Sequence, residues 1–460
     1  MPTTVIVLAA GQGKRMRSDL PKVLQPLAGR PILEHVLGAA GALKPREIRV
    51  VHGHGGQRVK EAFAGRDVAW VEQAEQRGTG HAVKLALRKA RAGDVALVLY
   101  GDVPLVRPET LKKLVSRAAA GKLAVLTADF DDPSGYGRII RGPKATGGGI
   151  IGIVEEKDAS REQRAIREIN TGLLACPVGR LAKMVARLKP NNAQREYYLT
   201  DVIGMAVKGG MAVVAVPAGS EDEVMGINDK VQLAEAGQVL RRRTARALME
   251  AGVTLVDPER IDVHGTLTCG RDVVIHPNVL FEGNVRLGDG VLVEAFSRIR
   301  NANVGAGTII HTHCVIEAGE IGKDCEIGPY ARMRPGVVLV GDVKLGNFVE
   351  VKKSTIGRGS KANHLSYIGD ATIGARVNVG AGTITCNYDG ANKHQTIIED
   401  EVFIGSDVQL VAPVTVGRGA TIGAGATITW DVPPGELTIS ERKQVTRYGW
   451  KRPVKKPAGS

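Results

Sequence analysis

Two groups of side chains in this 460-residue sequence have the types and spacing to do chemistry. The first begins at Leu8-Ala9-Ala10-Gly11-Gln12-Gly13-Lys14-Arg15-Met16, directly after a β-branched apolar run. Glycines at 11 and 13 let backbone N–H groups approach a phosphate, while Lys14 and Arg15 add positive charge. A dinucleotide-binding loop needs a third glycine where this chain has Met16, so the loop points to phosphate but not to that cofactor class. Pro21-Lys22 brings a further ammonium to the same loop. Tyr100-Gly101-Asp102-Val103-Pro104 ends another apolar run, and ligands of open α/β sheets lie beyond the carboxyl ends of strands. Asp102 is placed there either to hold a metal or to cap the turn into Pro104.

The second group lies between Arg334 and Tyr388: Arg334, Lys352, His364, Tyr367, Asn378, Asn387 and Tyr388. Any one of these is most simply a solvated position, and His364 has a structural hydrogen bond as a rival role. Together they make a different set. Arg and Lys hold a sugar phosphate, Asn and Tyr bond hydroxyls, and a histidine titrating near neutrality takes a proton from an attacking amine. N-acetylation of an amino sugar phosphate requires that combination.

The elements that must position the two groups differ in rhythm. Up to about Pro217, β-branched runs at Thr3 to Ala10, Ile48 to His52, Val68 to Val71, Val95 to Tyr100 and Leu123 to Phe130 alternate with amphipathic stretches. That alternation predicts βαβ units around a largely parallel sheet, a doubly wound α/β domain. The spacing predicts helices from near Pro31 and over Thr79 to Arg91, and a connecting helix over Lys230 to Gly252 carrying Arg241, Arg242 and Arg243. After Asp257 an aliphatic residue recurs every six positions: Ile261, Leu267, Val273, Val279, Val285 and Val291, and again Ile398, Ile404, Leu410, Val416, Ile422 and Ile428. This is the hexapeptide repeat of a parallel β-helix, with roughly nine coils between residues 261 and 430. The register slips around Val304, Ile356 and Ile373 and breaks at Asn387 to Gln395, where Tyr388 to Asn392 read as an extruded loop.

Composition narrows the function classes. The longest apolar runs fall far short of the roughly 20 residues of a membrane span, and the N-terminal run ends in a glycine loop, not in a signal cleavage site. Five scattered cysteines without a CxxC pair fit a reducing cytoplasm better than a disulfide framework or a zinc site. Part of the net charge of +14 sits in a tail, Glu441 to Ser460, with seven basic residues against one acid. Only Tyr448 and Trp450 interleave with that charge, so a solvated tail is expected and nucleic acid is not.

The set Gly11-x-Gly13-x-Arg15-Met16, Pro21-Lys22, Gln73-x-x-Gln76-x-Gly78-Thr79-Gly80 and Tyr100-Gly101-Asp102 resembles the sugar-1-phosphate nucleotidyltransferases, with Lys14 where threonine is usual. The resemblance implies that Leu8, Ala9, Ala10, Gly11, Lys22, Gln73, Gly78, Thr79, Tyr100, Gly101 and Asp102 contact a nucleotide. It further implies that Arg15 and Lys22 act in catalysis, that Gly137, Glu155, Asn170 and Asn228 contact the sugar phosphate, and that Asp102 and Asn228 hold Mg²⁺. One carboxylate and one amide oxygen suffice for an ion that keeps several waters.

With Gly346-Asn347-Phe348-Val349-Glu350-Val351-Lys352-Lys353, His364-Leu365-Ser366-Tyr367-Ile368-Gly369-Asp370 and Asn378 to Gly390, the likeness extends over about 450 residues. It is to the bacterial bifunctional enzymes that join glucosamine-1-phosphate N-acetyltransferase to N-acetylglucosamine-1-phosphate uridyltransferase. That family implies a left-handed β-helix, a homotrimer, and acetyl-CoA and UTP as substrates. It makes His364 the general base, Arg334, Lys352, Tyr367 and Asn378 the sugar phosphate ligands, and Ala381, Asn387, Tyr388, Ser406, Ala424 and Arg442 the acetyl-CoA contacts. The family's Ile-Ser-Arg is Ile439-Ser440-Glu441 here, with Arg442 displaced by one. The expected boundaries are 1–229 for the uridyltransferase, 230–252 for a linker helix, 253–440 for the acetyltransferase and 441–460 for the tail. A rival reading keeps the first activity and makes the β-helix an allosteric or oligomerising module; the His364 to Tyr388 cluster speaks against it.

Overall fold

The computed structural model describes residues 1–11, 13–53, 55–143, 148–441 and 444–452, which form two compact units that divide between Thr244 and Ala245. In the first, the strand Thr3–Ala9 is buried on both faces. Val5 and Val7 pack with Leu33, Val36 and Leu37 of the helix Ile32–Gly41, whereas Ile6 and Leu8 pack with Val83, Ala86 and Leu87 of the helix Thr79–Leu87. A strand apolar on every residue is what a sheet covered by helices on both sides demands. The nine-stranded sheet has the order Val213–Pro217, Leu123–Asp129, Glu168–Pro177, Val95–Tyr100, Thr3–Ala9, Glu47–His52, Ala69–Glu72.

All neighbours along that path are parallel except Glu168–Pro177, which runs antiparallel to both of its partners. The sequence reading anticipated a largely parallel sheet, as found, without saying which strand would run the other way. The cause of the inversion is the antiparallel hairpin of Gly137–Arg141 and Ile150–Val154, which reverses the chain before it re-enters the sheet.

The second unit is a parallel β-helix of two- to nine-residue strands, one face of which is an 11-stranded sheet from Thr254–Leu255 to Leu437–Thr438. Of the hexapeptide positions, Val273, Val279, Val291, Ile404, Leu410 and Val416 are at most 1% exposed; only Leu267, in the first full coil, is partly covered. Each such burial contributes roughly 1.5–3 kcal/mol. Glycine follows several of these residues because coils stack closely there: a Cβ on Gly405 would fall 2.6 Å from the Ala424 nitrogen.

Stacked positions are 18 residues apart in the first coils and 17 in the middle ones, which is the register slip seen in the sequence. The step rises to 25 where the loop at Asn387 to Gln395 leaves the helix. Corner residues adopt the left-handed conformation even without glycine, and Phe296, His313, Tyr330 and Phe348 stack there in a column with ring centroids 4.8–5.4 Å apart. Among the described residues no helix is long and apolar enough to cross a membrane.

Candidate functional site

In the first unit the carboxyl ends of Thr3–Ala9 and Val95–Tyr100 open onto a cavity of about 270 Å³. Leu8, Ala9, Ala10, Gly11, Lys22, Gln73, Gln76, Gly78, Thr79, Tyr100 and Asp102 line it, joined by Glu196, which no sequence motif had marked. The loop between Gln73 and Thr79 is held by its own polar groups. Gln73, 4% exposed, donates to the Gly78 carbonyl at 3.1 Å, and Gln76 reaches the Ala10 carbonyl across the cavity mouth. Gly78 has φ +97°, and a Cβ there would meet the Tyr197 carbonyl oxygen at 2.8 Å, so only glycine permits this path. Thr79 caps from the other side, its Oγ1 accepting from the Leu199 N–H at 3.2 Å.

Asp102 does not cap the turn into Pro104. Its carboxylate pairs with Lys22, and its backbone carbonyl accepts the Ile227 N–H at 2.8 Å, which fastens the Gly226-Ile227-Asn228 segment to the end of the strand. Asn228 Oδ1 then lies 3.3 Å from Lys22 Nζ, its Nδ2 being turned to the Gly226 carbonyl. Gly101 packs against Ala9. Burial pushes the Tyr100 and Tyr136 hydroxyls above the usual phenol range, so both remain neutral hydrogen-bonding groups.

The three other expected sugar contacts share one neighbourhood. Gly137 is in register with Asn170, and the Glu155 carboxylate lies over Gly137, accepting from Thr200 Oγ1 at 2.9 Å. Desolvation raises the Glu155 carboxyl, with Asp158 and Asp201 adding to it. Thr200 was missed in the sequence, where nothing distinguishes it from any other helix-start threonine. Arg15 stands apart, exposed on the short turn Lys14–Met16 and outside the cavity lining.

In the second unit the expected residues occupy one corner and the face that follows it. His364 ends the strand Lys361–His364, Leu365 turns the corner, and Tyr367 opens the next strand. Asn347 is in register with His364, and its Oδ1 lies 3.1 Å from His364 Nδ1. With that oxygen accepting Nδ1–H, the Nε2 lone pair is left to act as a base. Successive coils set Ala381, Ser406 and Ala424 at the same corner, linked through the backbone bonds Gly382 to Leu365, Asp407 to Ala381 and Gly425 to Ser406.

On the adjoining face Arg334 bonds Glu350 at 3.1 Å, Glu350 is in register with Tyr367, and Lys352 with Gly369. The extruded loop returns onto this face. Asn387 donates to Asp370, and Lys393 comes beside Lys352, whose ammonium holds the Lys393 pKa below its usual value. Tyr388 is 60% exposed and closes the loop by donating to the Gly390 carbonyl. Asn378 lies on a separate strand, in register with Lys361 and not with His364. Arg442 lies outside the described residues. Lys393, Glu350 and Asn347 were missed by sequence reasoning; the loop break was the one available signal for Lys393.

Comparison with known proteins covers both halves of the chain. The MobA-like NTP transferase domain family matches residues 5–166, the GMPPB C-terminal domain residues 261–356, and the bacterial transferase hexapeptide (six repeats) family residues 395–429. The protein named bifunctional protein GlmU in Aromatoleum aromaticum is 59% identical over 455 residues, covering 99% of both chains. Its namesake in Azoarcus sp. is 58% identical over 451 residues, 98% of this chain and 99% of that one. A solved UDP-glucose pyrophosphorylase with UDP-glucose bound covers 53% of this chain and 100% of its own at 17% identity and TM-score 0.43, too distant a likeness to bear on function.

Proposed function

This chain belongs to the family of bifunctional GlmU proteins, and from that premise we propose that it catalyses two consecutive steps of UDP-N-acetylglucosamine synthesis. The first is acetylation of glucosamine-1-phosphate by acetyl-CoA. His364 Nε2 takes the proton as the sugar amine attacks the thioester carbonyl; the C–N bond forms, the C–S bond breaks, and coenzyme A leaves as its thiol. Arg334, Lys352 and Lys393 hold the sugar phosphate, with Tyr367 and Asn378 beside them. The corner residues Ala381, Ser406 and Ala424, with Asn387 and Tyr388, carry acetyl-CoA.

The second step is uridylyl transfer. An oxygen of N-acetylglucosamine-1-phosphate attacks the α-phosphorus of UTP in line, and pyrophosphate leaves; positioning and charge neutralisation do the work. The Gly11 loop, Gln73, Gly78 and Thr79 orient UTP, Lys22 neutralises phosphate, and Gly137, Glu155 and Asn170 orient the sugar. Arg15 serves this step only by moving inward with the triphosphate. Mg²⁺, when bound, screens the phosphate charges. Asp102 and Asn228 are the residues to hold it, and what supports this is that their side-chain oxygens already converge on one cationic atom, Lys22 Nζ.

The reading rests on one observation: a single chain that carries both sets of residues matches a GlmU protein over 99% of its length. The assembly we infer is a homotrimer in the cytoplasm, where acetyl-CoA and UTP are found. The exposed corner at Leu365 and the exposed loop at Tyr388 give acetyl-CoA one wall, and a second copy supplies the other. Neither a membrane nor a nucleic acid is a partner in this reading. The test is to give the purified full-length chain glucosamine-1-phosphate and acetyl-CoA, follow free thiol, then add UTP and Mg²⁺ and follow pyrophosphate. Both signals are expected. Pyrophosphate only from ready-made N-acetylglucosamine-1-phosphate would leave the β-helix as a non-catalytic module.

A further inference from the structure

The atom that sits between the Asp102 carboxylate and the Asn228 carboxamide is the Lys22 ammonium, 3.3 Å from the amide oxygen and ion-paired with the acid. Lys22 is not a loosely placed surface side chain. It is 10% exposed, it opens a short turn anchored by the buried Val23 and Leu24, and a Cβ on Gly13 would fall 2.6 Å from its own Cβ. The two acceptors come from distant segments that the Ile227 N–H to Asp102 carbonyl bond fixes together. A preformed pair of hard oxygens with an ammonium between them is the arrangement that a divalent cation could take over.

We propose that Lys22 is a placeholder cation. It neutralises Asp102 while no nucleotide is bound, and it vacates the point between Asp102 and Asn228 when a divalent ion arrives with a nucleoside triphosphate. The inference rests on the reading of these two residues as the metal pair. One carboxylate and one amide oxygen hold a divalent ion poorly unless other oxygens complete its shell, and here they must also give up an ammonium. A triphosphate meets both needs: its oxygens complete the shell, and its charge gives the displaced ammonium a new partner. Metal and nucleotide therefore strengthen each other's binding by the same factor. The free chain, by contrast, takes up the ion weakly.

Mn²⁺ binding to the full-length chain, read by electron paramagnetic resonance, tests this without any turnover. Lys22→Met is expected to bind Mn²⁺ about ten-fold more tightly than the wild type when no nucleotide is present, the scale of one adjacent charge removed. The gain in affinity on adding UTP should shrink correspondingly. Lys230→Met, which removes an ammonium two residues from Asn228, should change the affinity by less than about two-fold. Equal gains in the two variants, or none with Lys22→Met, overturn the proposal. Asp102→Ala should abolish the ion's binding in either background; an ion retained there would remove the metal pair itself, a distinguishable failure. A second measurement needs no variant: in the wild type, saturating Mn²⁺ without nucleotide should increase amine labelling of Lys22 detected by mass spectrometry. Unchanged labelling with the ion bound also overturns the exchange.

Discussion

Glu155 is held by Thr200 Oγ1 at 2.9 Å while burial raises its carboxyl above the usual range. The folded chain therefore binds that proton more tightly than the unfolded one, and stability falls as pH rises from the ordinary carboxyl value of about 4.3 through the raised one. Glu155→Gln keeps the acceptor for Thr200 and removes the charge. We expect it to raise the melting temperature by about 2 °C above that window and by nothing below it, measured by thermal unfolding across pH 4–8. The same variant should raise KM for N-acetylglucosamine-1-phosphate by about ten-fold if, as proposed, the acid orients the sugar. An unchanged melting temperature at pH 8 would mean that burial carries no penalty. Asn347 is the counterpart in the second unit. Its Oδ1 at 3.1 Å fixes the tautomer of His364, so Asn347→Ala should lower kcat for acetylation by about ten-fold with KM for both substrates unchanged. A drop confined to KM would make it a binding residue instead.

At the scale of elements, the loop from Gln73 to Thr79 is the one proposed to orient UTP, and its path depends on the left-handed Gly78 against the Tyr197 carbonyl. Gly78→Ala must move one of the two. The expected cost is about 1–3 kcal/mol of stability by chemical unfolding, with KM for UTP raised by at least about ten-fold and acetylation unaffected. Retention of wild-type KM would show that the loop has a second path. The β-helix shows the converse economy, because each coil repeats one solution: an aliphatic residue inward, glycine where coils touch, a left-handed corner. The column of Asn347, His364, Ala381, Ser406 and Ala424 is a by-product of that repetition, since residues at equal phase in successive coils fall on one edge.

At the scale of the whole molecule, the product of the second unit is the substrate of the first, and each has its own core. Asp102→Ala should abolish pyrophosphate release and spare acetylation; His364→Ala should do the reverse. Mixing the two variants, each unable to convert glucosamine-1-phosphate to the nucleotide sugar, should restore conversion, because the intermediate leaves one site and diffuses to the other. Failure of the mixture, with each single activity intact, would show that the intermediate is handed over without release.

The periodicities alone determined the two architectures, because a buried strand, an amphipathic helix and a six-residue coil each impose a local repeat on the sequence. Motif spacing marked the glycine loop, Lys22 and Asp102, because a phosphate loop and a strand end are local features, and the family resemblance those motifs carry named most of the rest of the cavity lining. What the tertiary structure decided is everything that depends on distant segments meeting. The inverted strand Glu168–Pro177 follows from a hairpin whose strands look like any others. Thr200 under Glu155 and Lys393 beside Lys352 have no motif, since a side chain recruited by packing leaves no spacing to read, and Asn347, although inside a family motif, has its role against His364 assigned only by the stacking of coils. The family resemblance had already paired Asp102 with Asn228, but the Lys22 ammonium that sits between their oxygens is seen only in the fold.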